Sequence, residues 1–109
     1  MKPQLASLVG SRASPGHSLL SASAWLRLRA ALGLSRRELQ IVKGIFEDQK
    51  EEAMAAGMGI SPHTVSTYMQ RLYRKLHVCS RTQLIVHLMA THLALAIEDF
   101  NGTVTARQS

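Results

Sequence analysis

Between Ser61 and Leu76 the sequence SPHTVSTYMQRLYRKL puts His63, Ser66, Thr67, Gln70 and Arg74 on one side of a helix. Val65, Met69, Leu72 and Leu76 fall on the other side, at the spacings 4, 3 and 4 of a single buried stripe. The polar side is small and neutral near its start and basic near its end, and no acid stands anywhere in the stretch. Hydroxyls, an amide and guanidinium groups are the groups that bond base edges and neutralise phosphates. The outer face therefore reads as one that meets a polyanion. Ser61 is a good N-cap, and Pro62 occupies the first helical position, where a missing N–H costs nothing.

Other groups with chemical potential are not arranged to use it. Glu51 and Glu52 are adjacent, so on a helix they diverge by about a hundred degrees, and no basic or nucleophilic partner is spaced to join them. Cys79 is the single cysteine, which excludes an internal disulfide, suits a reducing compartment and reads as a small core residue beside Val78. His87 and His92 stand five apart, on different helix faces, and read as surface or interface residues. The sequence holds no nucleophile–base pair, no Gly-rich phosphate loop and no Cys/His cluster at zinc spacing. No enzymatic activity, cofactor or metal is expected.

The elements that must position Ser61–Leu76 lie on both sides of it. The chain has 109 residues, enough for one domain, and a formal net charge of +6. Its pI near 10.3 favours a polyanionic partner. Arg71, Arg74, Lys75 and Arg81 gather around the helix, whereas most of the acids lie between Glu38 and Glu52. Aromatic residues are scarce, so the core must rest on aliphatic side chains. Residues 1–21 read as a flexible leader rich in Ser and free of acids; a targeting role is the less favoured alternative. Residues 22–33 form a short helix with Trp25, Leu28 and Leu32 on one side, ended by Gly33 and too short to span a membrane. Ser35 and Glu38 form a capping box for a helix to Phe46, with Leu39, Val42, Ile45 and Phe46 as its core stripe. A shorter helix over residues 49–56, capped by Asp48, buries Met54, Ala55 and Met58. The turn Gly57–Ile60 then leads into Ser61, which makes a helix-turn-helix pattern. Ser80 and Gln83 open a last helix, about Arg81 to Ile97, with more apolar surface than one small core needs. Residues 98–109 read as a disordered tail.

Three segments in order, LSRRELQIV, MGISPHTVSTYMQRLYRKL and VCSRTQL, resemble the LuxR-type helix-turn-helix domain over about Leu34 to Thr91. The resemblance implies an all-α, four-helix DNA-binding domain, here spanning 34–97 with a short preceding helix and flexible termini. It implies double-stranded DNA as partner, a recognition helix in the major groove and a homodimer formed through the last helix. The implied base-contacting residues are Ser66, Thr67 and Gln70. His63, Thr64, Tyr68, Arg71, Arg74, Lys75 and Arg81 would contact phosphate, and Leu84, Leu88 and His92 would form the dimer interface. The family often has Lys at the position of Ser66 and His at that of Tyr68. Its frequent Lys-Glu-Ile-Ala aligns with Glu52, Ala53, Met54 and Ala55. With about thirty residues ahead of it, the domain resembles the stand-alone members, which implies a transcriptional regulator of the bacterial cytoplasm and nucleoid without a small-molecule pocket. Two alternatives are a protein-interaction module that lost its DNA face and a fragment of a sigma-factor-like protein.

Overall fold

The computed structural model describes residues 20–108, and the side chains among them as far as residue 101. The leader expected over residues 1–21 lies outside the described residues except for its last two. Those two belong to the fold: Leu20 is buried and Ser21 caps the first helix. The described residues form five helices: α1 Ala22–Leu32, α2 Arg36–Phe46, α3 Glu51–Met58, α4 Pro62–Leu76 and α5 Arg81–Gln108. No described helix is long and apolar enough to cross a membrane.

Local chemistry sets the boundaries. Ser21, Ser35 and Ser61 each accept the N–H three residues on, and Ser35 and Glu38 complete the expected capping box. At α5 the box is displaced by one residue: Ser80 Oγ accepts from Gln83 N at 3.1 Å, but Gln83 Oε1 accepts from the N–H of Cys79, at 2.7 Å. The four helix ends ahead of α5 share one device, a residue in the left-handed region whose N–H and the next turn back onto the last helical carbonyls. Gly33 and Gly59 fill it with φ of 64° and 69°, and Asp48 and His77 fill it with φ of 59° and 57°.

Asp48 therefore does not cap α3, as its sequence position suggested. The reversal from α2 into α3 uses it, with Asp48 N on Ile45 O and Gln49 N on Gly44 O. Lys50 becomes the N-cap, without a side-chain cap bond, and α3 starts two residues later than expected. The last helix also differs. It runs on from Ile97 to Gln108, where the sequence suggested a disordered tail. Arg27 of α1 reaches the first of the added turns at Asp99 and also bonds the carbonyl of Leu95.

The core draws on every helix. Leu28, Ile41, Ile45, Val42, Val65, Leu72, Leu84 and Leu88 are fully buried at its centre. Among the described residues no polar or charged residue is buried. Gly44 lets α3 approach α2 closely: a Cβ there would stand 2.5 Å from Met54 Sδ. Trp25 of α1 meets Phe46 of α2 edge to face, with centroids 5.4 Å apart, and the ammonium of Lys43 lies 5.7 Å from the Trp25 ring. α1 thus extends the core and packs along the back of α5. Cys79, expected in the core, is exposed, because its backbone is committed to the start of α5 and its side chain points outward.

Candidate nucleic-acid interface

α3, the Gly59 turn and α4 form the helix-turn-helix, with α3 and α4 packed on each other and α2 behind α4. Val65, Met69, Leu72 and Leu76 are all buried, as their spacing requires. The opposite side of α4 is left to solvent. His63, Gln70, Arg71 and Arg74 are exposed there, and Ser66 and Thr67 are half-buried beside them. Thr64 and Tyr68 are half-buried on one flank, Tyr68 packed against the core. Tyr73, on the other flank, is also half-buried; burial pushes its phenol up, opposed by Arg81 and aided by Glu51.

The hydroxyls of the first two turns are largely engaged within the helix. Ser61 Oγ accepts from Thr64 N at 3.1 Å and bonds Thr64 Oγ1 at 2.9 Å. Thr67 Oγ1 donates to the carbonyl of His63 at 3.1 Å.

Two basic residues expected on phosphate have partners inside the chain. Lys75 Nζ donates to Glu38 Oε1 at 2.8 Å and to the Gly33 carbonyl at 2.6 Å. It ties the end of α4 to the start of α2. Sequence spacing could not foresee this, because Glu38 and Gly33 lie far from Lys75 along the chain. For Glu38, burial raises the carboxyl pKa, but the bonds from Lys75 and from the Ser35 N–H outweigh it and hold the group below its ordinary value. Arg81 Nη1 donates to the Gln49 carbonyl at 2.6 Å, so part of its guanidinium braces the α2–α3 turn.

The expected dimer residues also need correction. Leu84 and Leu88 are each 1% exposed and belong to the intrachain core, so they have no surface to offer a partner. His92 is half-buried and lines a groove of about 190 Å³ against α1, with Arg27 and Leu95. The apolar surface of α5 that remains open is its other side: Val86, Leu93, Ile97 and Phe100, at 63%, 57%, 59% and 69% exposed. With Ala90 these follow at spacings of 4, 3, 4 and 3. The pattern was present in the sequence, but an α5 apolar on two sides left it open which side faced the core.

The arrangement is that of a helix-turn-helix DNA-binding domain. Residues 32–88, just over half of the chain, match the family described as "Bacterial regulatory proteins, luxR family", and the chain belongs to that family. It is 36% identical over 92 residues to a protein of Aeromonas salmonicida named as an HTH-type transcriptional regulator in the exeN 3' region, covering 82% of this chain and 46% of the relative. A transcriptional regulatory protein named NarL, from Mycobacterium tuberculosis, is 38% identical over 60 residues, 55% of this chain and 28% of its own. The response regulator UvrY of Escherichia coli is 37% identical over 62 residues, 57% of this chain and 26% of its own. The chain spans less than half the length of these relatives. No solved structure matches it significantly.

Proposed function

We infer that the chain binds duplex DNA through the outer face of α4 in the major groove and regulates transcription in the bacterial cytoplasm, at the nucleoid. The observation that carries this reading is the acid-free outer side of α4, turned away from four buried apolar residues in a family-matched helix-turn-helix. Gln70 suits adenine, whose N6 and N7 pair with a carboxamide, and the methyl of Thr67 suits thymine. Ser66 is the third candidate base contact. Arg71 and Arg74, without a partner among the described residues, are placed for phosphate, with Arg81 contributing the part of its guanidinium not held by Gln49. Thr64 and Tyr68 complete the set at the rim.

Homodimerisation is part of the same reading. The exposed stripe Val86, Ala90, Leu93, Ile97 and Phe100 has the alternating 4 and 3 spacing that lets two helices pack side by side. A pair of copies joined there would offer two α4 helices to successive half-sites. The neutral pair Ser66 and Thr67 favours a second reading, a protein-interaction module on the same fold.

A salt titration of binding to duplex DNA decides between them. The slope of log K against log salt is roughly −0.9 per neutralised phosphate, and about three to five phosphate contacts per subunit are expected. Absence of duplex binding at about 50 mM salt removes the DNA reading.

A further inference from the structure

Along α4, His63, Thr67, Gln70 and Arg74 lie on one straight outer line, the residues i, i+4, i+7 and i+11. They stand opposite the buried Val65, Met69, Leu72 and Leu76. His63 is the second residue of the helix and is exposed. In helix-turn-helix docking the N-terminal residues of the reader helix come closest to base edges. Arg74 lies about 16 Å further along the axis, more than the width of the major groove, which suits a phosphate at its edge.

The first two turns offer few other polar groups. Ser61, Thr64 and Thr67 engage their hydroxyls with one another or with the helix backbone. Pro62 has no N–H. The imidazole of His63 makes no hydrogen bond or ion pair among the described residues. It carries a ring N–H donor on the line that Gln70 continues. Sequence resemblance put His63 with the phosphate contacts, but its place on the centre line and at the leading end is that of a reader.

We propose that His63 is a base-reading residue that donates to a guanine edge, where N7 and O6 both accept. The inference rests on the DNA-binding reading above and adds a residue and a register to it. His63 and Gln70 stand seven positions apart, an axial distance of about 10 Å, or about three base-pair steps. Thr67 falls between them, its methyl positioned for a base about two steps from that of His63. The site is thus read as a guanine, a thymine and an adenine in fixed order along the groove.

Selection of bound fragments from a random duplex pool tests this, run on the whole chain with the wild type, H63A and Q70A. Thermal melting of each variant checks the fold, which the exposed imidazole does not support. The wild type should select a site with a guanine about three base pairs from the adenine position lost in Q70A. H63A should relax that guanine alone and lose about tenfold in affinity on the best site, with the other positions intact. An even loss across all sequences would make His63 a phosphate contact and overturn the proposal, as would an unchanged site. Failure of the wild type itself to bind any duplex would instead overturn the reading on which the proposal stands.

Discussion

Replacing Lys75 separates a brace from a DNA contact. Its ammonium sits 2.8 Å from Glu38 Oε1, with side-chain exposures of 40% for Lys75 and 15% for Glu38. A charge-assisted bond contributes about 1.5–3 kcal/mol when well shielded. Exposure of the lysine reduces that, because solvent screens the pair, so about 1 kcal/mol of coupling is expected. Lys75→Met and Glu38→Gln should each lower the urea-unfolding stability by about 1 kcal/mol, since Gln still serves the capping box. Combined they should cost little more than either alone. Glu38→Ala also removes the cap and should cost about 2 kcal/mol. The pH dependence has a definite sign. Glu38 is held below its ordinary value of 4.5, so its contribution is present above that value and lost as pH falls through the folded one. The gap between wild type and Glu38→Gln should therefore close in acid. Equilibrium unfolding in urea at pH 7 and in the acid range reads all of this, and the DNA salt slope of Lys75→Met should match that of the wild type. Unchanged stability together with a slope reduced by about 1 would refute the brace and return Lys75 to the phosphates.

Three further outcomes follow from the packing. Gly44→Ala would set a methyl 2.5 Å from Met54 Sδ and 2.7 Å from its Cγ; Met54 is buried, so repacking should cost about 1–3 kcal/mol in urea unfolding. His77→Gly removes a side chain from a left-handed position at φ 57° and should raise the melting temperature, by the equivalent of about 0.5–1 kcal/mol. Leu93→Glu should yield folded monomers by sedimentation, whereas Leu88→Arg should unfold the chain because Leu88 is in the core; a folded, monomeric Leu88→Arg would contradict the assignment of the two faces.

The period of the apolar residues, the serine caps and the two αL glycines were enough to place most of α1, α2 and α4. They are local signals: a hydroxyl meets an N–H three residues on, and a stripe at helical spacing must be buried wherever the helix packs. The outer face of α4 was legible for the same reason, since burying Val65, Met69, Leu72 and Leu76 turns His63, Thr67, Gln70 and Arg74 outward. What local signals could not supply were relations between segments. That Asp48 ends α2 and does not cap α3 depends on the reversal that brings Gly44 against Met54. That Lys75 serves Glu38 depends on α4 ending beside the start of α2. That Leu84 and Leu88 face inward, leaving Val86, Leu93, Ile97 and Phe100 open, depends on which side of α5 meets the core. α5 is apolar on two sides, so its sequence alone is compatible with either orientation. The tertiary packing chooses one, and with it the basic groups left free at the interface and the surface left open to a second copy.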